Sequence, residues 1–107
     1  MTVYNKLVRD RIPERIRESG KSCTVTILEQ EAYIAELRKK LREETDEYAR
    51  SESDSEALEE LADILELLHA LSRVHKGSPE QLEQIRAQKA EERGGFEKAV
   101  FLGEVSD

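Results

Sequence analysis

The chain of 107 residues contains one cysteine, no tryptophan and two phenylalanines, and it has no long apolar run. The single Cys23 excludes an internal disulfide and a cysteine-rich zinc knuckle. No apolar run approaches the roughly 20 residues of a membrane span, and the first ten residues lack the apolar stretch of a signal peptide. We therefore expect a cytoplasmic protein that does not associate with membranes.

Charged residues make up 38% of the chain and apolar residues 37%, so the chain is rich in charge and poor in apolar residues. Its length fits one domain spanning residues 1–107, and its apolar residues are too strongly patterned for a disordered chain. A core built from so little apolar area is thin, and small chains often compensate by oligomerising. We expect a homodimer or a higher homo-oligomer.

Charge is distributed unevenly along the chain. Residues 1–21 carry six basic and three acidic side chains, whereas residues 36–66 carry twelve acidic and five basic ones. The acidic centre disfavours nucleic acid as a stable partner and suits a multivalent cation. The basic segment beside it suits a ligand that bears phosphate.

Periodicity and end signals predict a mainly helical fold. Ser53 and Ser78 have the spacing of helix N-caps, Asp10 is a third candidate cap, and Gly20 and Gly77 are expected to end helices. Alternating β-branched residues predict two short strands. The predicted helices cover residues 11–19, 30–50, 55–76 and 79–93, and the predicted strands cover residues 22–28 and 98–105.

The third predicted helix is apolar on two sides. One side carries Leu58, Leu61, Ala62, Leu65 and Leu68, and the nearly opposite side carries Ile64, Leu67, Leu71 and Val74. A helix that is apolar on two sides is buried on two sides. In a chain with few helices, we expect one side to contact another subunit, and the pattern does not indicate which.

Two acidic pairs with a spacing of three residues occupy neighbouring predicted helices. Glu44 with Glu47 and Glu60 with Asp63 each lie on one helix face, in line with apolar stripes. Carboxylates that point toward a core are costly unless they are paired or bind metal. Antiparallel packing of the two helices would bring four oxygen ligands together for a hard divalent cation. The alternative is a solvated acidic face.

The sequence resembles a known family at these motifs. The segments Lys40-Leu41-Arg42-Glu43-Glu44-Thr45-Asp46-Glu47 and Glu60-Leu61-Ala62-Asp63 resemble those of the all-α nucleoside triphosphate pyrophosphohydrolases, which include MazG. The block Tyr4-Asn5-Lys6-Leu7-Val8-Arg9-Asp10-Arg11-Ile12-Pro13-Glu14, together with Lys89 and Arg93-Gly94-Gly95-Phe96, resembles a MazG-like branch of house-cleaning enzymes. The resemblance covers about residues 4–97. It implies an all-α helical bundle of about four helices that is completed by oligomerisation.

The resemblance also implies a function and a set of site residues. A nucleoside triphosphate, expected to be non-canonical, would be hydrolysed to a nucleoside monophosphate and pyrophosphate with Mg²⁺ or Mn²⁺ as cofactor. The metal ligands would be Glu44, Glu47, Glu60 and Asp63. Catalytic roles would fall to Glu43, Glu44 and Glu47, with Glu43 outside the ligand set or assisting the attacking water. The substrate would contact Asn5, Lys6, Arg9, Lys89 and Arg93.

Two other functions stay open at this point. Phosphoribosyl-ATP pyrophosphohydrolases cleave the same bond and share similar motifs, although the N-terminal block differs from theirs. A helical dimerisation module, in which the acidic residues only favour solubility, belongs to a different class. In that case Lys6 and Arg9 are ordinary surface charges, and Arg93 with Gly94 and Gly95 is a plain helix end.

Overall fold

Four helices make up the regular structure of the computed structural model, which describes residues 2–107. They are α1 (Ile12–Glu18), α2 (Gln30–Ala49), α3 (Asp54–Val74) and α4 (Pro79–Arg93). The predicted mainly helical fold is confirmed, and each helix boundary lies within two residues of its predicted position. None of these helices combines the length and apolar character needed to cross a membrane.

The helix starts follow local side-chain chemistry at two of the three predicted caps. Ser53 Oγ accepts the Glu56 backbone N–H at 3.1 Å, and Ser78 Oγ accepts that of Gln81 at 3.0 Å. Both hydrogen bonds satisfy donors that a helix start leaves free. The prediction of Asp10 as a cap is wrong, because α1 begins one residue later. Arg11 occupies its N-cap position without a side-chain hydrogen bond.

Helix α3 ends at Val74, and the left-handed residue that follows it is Lys76 rather than Gly77, which we expected to end the helix. Lys76 has φ of 64°, and the Gly77 backbone N–H donates to the Ser72 carbonyl at 2.8 Å. A Cβ on Gly77 would lie 3.1 Å from Gln81 Oε1 and 3.3 Å from the Ser72 carbonyl oxygen. A side chain on Gly77 would therefore require Gln81 or the Ser72 carbonyl to move by a few tenths of an ångström, and it is Lys76 that takes the unfavourable backbone conformation.

Helix α3 is central to the packing of the chain. It packs against α2, to which the short segment 50–53 connects it, and against α4. Leu37 of α2 and Leu67 of α3 are the two buried residues of the described chain. Ile34, Leu41, Ile64 and Leu71 are half-buried around them. The side of α3 that carries Leu67 thus faces the intramolecular core.

The two predicted strands are not confirmed. Residues 22–28 and 98–105 are irregular in the described structure, and side chains such as Ile27 and Phe101 are 90% and 96% exposed. Their β-branched and aromatic composition favours extended backbone, but a strand also requires a neighbour that completes its hydrogen bonds. Neither segment has one within the described chain.

The described chain is long and open. Its radius of gyration is 18.3 Å and its principal extents are 62 × 36 × 24 Å. A compact domain of this length would have a radius of gyration of about 13 Å. The small core and the elongated shape agree with the thin core expected from composition, and the predicted oligomer stays a prediction.

Candidate metal centre

Three of the four predicted metal ligands converge between α2 and α3. Glu44 and Glu47 lie one turn apart on α2, and Glu60 lies on the facing part of α3. Each contributes a carboxylate oxygen, and these three oxygens lie within 4.8 Å of one another. We call these three residues the acid cluster. The spacing of three residues on α2 and the packing of successive helices are sufficient to assemble it.

The acid cluster is partly shielded from water. The Glu44 side chain is 12% exposed, and the Oε2 atoms of Glu44 and Glu60 are inaccessible to solvent and have no hydrogen-bond partner. Lys40 Nζ lies 3.9 Å from Glu44 Oε1, too far for a strong hydrogen bond but close enough to offset part of its charge. Shielded carboxylate oxygens without partners are costly, and a proton or a cation would relieve that cost.

The environment of Glu60 favours its protonated form. The pKa of Glu60 is raised from 4.5 to about 7, first because its protonated form would donate a hydrogen bond to the adjacent Glu44 carboxylate, and further by burial and by the negative charges of the neighbouring acidic residues. The hydrogen bond requires a proton between the two carboxyl groups, because two carboxylates offer only acceptors. Without metal, the cluster is therefore expected to hold a proton near neutral pH.

Asp63, the fourth predicted ligand, lies one turn beyond Glu60 and contacts a different group. Arg9 Nη2 donates to Asp63 Oδ1 at 2.5 Å. Asp63 still adds negative charge near Glu60. The N-terminal segment, for which we predicted phosphate contacts, thus reaches the acidic region, where its Arg9 forms an ion pair with the Asp63 carboxylate.

The remaining predicted site residues are not all brought to this region. Lys6 and Glu43 line a small crevice between the N-terminal segment and α2, and Lys6 Nζ lies 5.7 Å from the centroid of the Tyr4 ring. Asn5 adopts a left-handed backbone conformation. Lys89 and Arg93 are exposed on α4, and the described structure gives them no ion pair or side-chain hydrogen bond.

Sequence analysis missed five residues that surround the cluster. An open cavity of about 430 Å³ adjoins Glu47 and Glu60, and Arg50 and Ser51 line it together with Glu56 and Glu59. Lys40, already noted above, pairs with Glu44. Arg50 and Ser51 directly follow α2, so the predicted end of the helix over residues 30–50 was the signal available for them.

About half of the chain is similar to part of a bacterial protein. No family model matches the chain, and no solved structure matches it. A segment of 54 residues is 44% identical to part of an uncharacterized protein of Mycolicibacterium smegmatis. The match spans 50% of this chain and 55% of that protein, so the chain covers about half of that relative's length.

Proposed function

We propose that the chain is a metal-dependent hydrolase that cleaves a nucleoside triphosphate to a nucleoside monophosphate and pyrophosphate. The observation that carries the proposal is the convergence of Glu44, Glu47 and Glu60, with two solvent-shielded oxygens that have no partner. The basic N-terminal segment reaches the same acidic region through Arg9. An acidic site that can bind a metal ion, with a basic side chain at its edge, suits a polyphosphate substrate, because both the metal ion and the basic side chain attract phosphate oxygens.

The donor set fits a hard divalent cation. All three cluster residues offer carboxylate oxygens, the ligands that Mg²⁺ and Mn²⁺ accept, and residues 2–107 bring no sulfur or imidazole to this site. Glu44, Glu47 and Glu60 would hold the ion, and Asp63 would join them on release from Arg9. When bound, such an ion supplies charge neutralisation at phosphate oxygens and a water of lowered pKa.

The basic residues have a defined task in this proposal. Arg9 and Lys6 would contact phosphate oxygens of the substrate, where a guanidinium fits a bidentate contact. Glu43 is exposed beside Lys6 and would accept the proton of the attacking water. The oxygen of that water forms a bond to phosphorus, and the bond between the α and β phosphates breaks with its electrons leaving on pyrophosphate. Asn5, Lys89 and Arg93 stay predicted contacts of the nucleotide.

A screen of ordinary and damaged nucleoside triphosphates, with and without Mg²⁺, tests the activity through release of pyrophosphate. Phosphoribosyl-ATP belongs in the same screen, because its selective hydrolysis would favour the histidine-biosynthesis reaction. Hydrolysis that depends on Mg²⁺ and yields monophosphate and pyrophosphate in equal amounts is the expected result. Release of inorganic phosphate alone would contradict cleavage between the α and β phosphates.

Glu60→Gln is the informative variant, and Glu66→Gln is its matched control. Both remove one negative charge from α3, but Glu66 is exposed and lies outside the cluster. We expect Glu60→Gln to abolish hydrolysis and weaken Mg²⁺ binding measured by calorimetry, while Glu66→Gln keeps both. A wild-type protein that neither binds Mg²⁺ nor gains thermal stability from it would favour the non-catalytic helical module instead.

A further inference from the structure

The open cavity at the connection between α2 and α3 has no role in the metal centre described above. Its volume of about 430 Å³ falls within the range of small-molecule sites. Two residues of the acid cluster line it, and the connection and the first turns of α3 supply the others. The lining residues are Glu47, Arg50, Ser51, Glu56, Glu59 and Glu60. A ligand in this cavity would therefore lie directly beside the acid cluster.

The cavity and the basic N-terminal segment lie on opposite sides of the acid cluster along α3. Glu56 of the cavity lies one turn before Glu60, whereas Asp63, which pairs with Arg9, lies one turn after it. On α2, Arg50 follows the cluster at the end of the helix, and the crevice lined by the N-terminal segment lies before the cluster. The site thus has an acidic end and a basic end.

These two ends favour one direction for a nucleoside triphosphate. In the proposed hydrolysis the α phosphate is attacked, so it must lie at the acid cluster, between the nucleoside and the outer two phosphates. Arg9 attracts phosphate oxygens, whereas the four carboxylates of the cavity repel them. The uncharged nucleoside therefore suits the cavity, and the outer phosphates would extend toward Arg9.

Two side chains of the cavity are free to contact a nucleoside. Two of the six lining residues belong to the acid cluster. Glu56 Oε2 accepts the Glu52 backbone N–H at 3.0 Å, and Ser51 Oγ donates to a carbonyl of the last turn of α2 at 2.7 Å. Arg50 and Glu59 are exposed, and within residues 2–107 neither side chain has an ion pair or a hydrogen bond.

Arg50 and Glu59 together offer one fork of donors and one fork of acceptors. A guanidinium donates to O6 and N7 of guanine in a bidentate contact. A carboxylate accepts from guanine N1–H and from the adjacent 2-amino group, because an ionised carboxylate carries two acceptor oxygens. Adenine, cytosine, uracil and thymine each offer a single donor group. Guanine is therefore the common base that satisfies both forks.

We propose that the cavity is the base subsite and that Arg50 and Glu59 select guanine nucleotides. Damaged guanine nucleotides that keep O6, N7, N1–H and the 2-amino group belong to the same class. The inference rests on the proposed hydrolysis and adds to it the class of substrate. With GTP as substrate, the products would be GMP and pyrophosphate.

Matched substrates test each contact without a change in the protein. Inosine triphosphate lacks only the 2-amino group of GTP, and 7-deaza-GTP has carbon in place of the N7 acceptor. In the presence of Mg²⁺, we expect the wild-type kcat/KM for each analogue to be about tenfold or more below that for GTP. Equal values for the three substrates would overturn the base assignment and leave the hydrolysis itself intact.

Variants of the two side chains should each remove one preference. Glu59→Gln is expected to lose the preference for GTP over inosine triphosphate and to keep the preference over 7-deaza-GTP. Arg50→Ala should show the reverse, and Arg50→Lys should not restore the bidentate contact. Glu52→Gln, which removes the same charge from an exposed position outside the cavity, should keep both preferences. Variants that lower kcat/KM equally for all three substrates would contradict direct contacts to the base.

Calorimetric titration of the metal-free chain with GMP and IMP separates this inference from the proposed function. We expect the wild type to bind GMP about tenfold or more tightly than IMP, and Glu59→Gln to bind both equally. A preference for GMP in a protein that hydrolyses no triphosphate would support the subsite and contradict the hydrolase. Equal binding of GMP and IMP by a protein that hydrolyses triphosphates would overturn the subsite alone.

Discussion

Arg9 Nη2 lies 2.5 Å from Asp63 Oδ1, and this ion pair joins two residues that are 54 positions apart in the sequence. It ties the basic N-terminal segment to the acidic face of α3. The two side chains are 56% and 43% exposed, so solvent screens the attraction and the pair is easily exchanged for other partners. Arg9 and Asp63 are therefore suited to separate when a cation and a polyphosphate compete for them.

Arg9→Ala is expected to tighten Mg²⁺ binding in the absence of nucleotide and to raise the KM for the triphosphate. Removing Arg9 frees the Asp63 carboxylate for the metal but deletes a phosphate contact. Because an exposed ion pair contributes at most about 1 kcal/mol, the gain in Mg²⁺ affinity should not exceed about fivefold. Calorimetric titration with Mg²⁺ and steady-state kinetics measure the two effects.

Arg11→Ala is the control for Arg9→Ala, because Arg11 pairs with Glu14 of α1 and not with the acidic region. It should change neither the Mg²⁺ affinity nor the KM. Arg9→Lys should restore the charge but not the bidentate geometry, and its KM should fall between those of the wild type and Arg9→Ala. Weaker Mg²⁺ binding in Arg9→Ala would show that the ion pair does not compete with the metal.

Glu44→Gln is expected to weaken Mg²⁺ binding without lowering the stability of the metal-free fold. The variant removes one charge from the acid cluster, so Mg²⁺ affinity should fall about tenfold or more, as losses near metal sites commonly do. The melting temperature of the metal-free protein should hold or rise, since the repulsion within the cluster decreases. Asp46→Asn, which makes the same charge change at an exposed position on α2, should affect neither quantity. A destabilised Glu44→Gln protein would mean that the contact with Lys40 outweighs the repulsion.

The stability of the metal-free protein should carry a pH-dependent contribution from Glu60. Its pKa is 4.5 in the reference state and about 7 in the folded chain. Between these values the folded chain binds more protons than the unfolded chain, so this contribution to stability falls as pH rises from about 4.5 to 7. The test is the difference between urea unfolding curves of the wild type and Glu60→Gln at several pH values. A difference that does not vary with pH would contradict the shared proton.

Lys76→Gly is expected to stabilise the folded chain by about 1 kcal/mol. Lys76 has φ of 64°, a backbone conformation that costs a residue with a Cβ about 1–2 kcal/mol. Glycine would avoid this cost, but its greater conformational freedom in the unfolded chain offsets part of the gain in stability. Thermal or urea unfolding measures the change. Glu91→Gly, within α4, should instead destabilise the chain by about 1 kcal/mol. Equal losses in both variants would mean that Lys76 makes compensating contacts.

Features that depend on neighbouring residues could be predicted from the sequence. The caps at Ser53 and Ser78 need only a hydroxyl and an amide three residues away, and the pairing of Glu44 with Glu47 needs only the helical repeat. The convergence of Glu60 with this pair required one further assumption, that successive helices joined by a short connection pack together. The structure shows both caps and the convergence of Glu44, Glu47 and Glu60, whereas the fourth residue, Asp63, lies outside the cluster and the binding of a metal stays a prediction.

Features that depend on distant partners could not be predicted. The charge of the N-terminal segment and the family resemblance suggested that Arg9 meets a phosphate, but its contact with Asp63 depends on the path of the N-terminal segment along the other helices. Residues 22–28 have the composition of a strand, yet strand formation depends on a partner that composition does not specify. Periodicity identified two apolar sides of α3, and only the position of α2 decided which of them is covered.

The order of helix contacts has a consequence for how the chain folds. Helix α2 contacts α3 and α3 contacts α4, so each contact joins elements that are consecutive in the sequence. The packing of these three helices requires the closure of short loops only, and chains dominated by such local contacts typically fold in microseconds to milliseconds. We expect a fast first phase that does not depend on protein concentration and that assembles the acid cluster. Pairing of two copies, which requires diffusion, would follow as a slower phase whose rate increases with concentration.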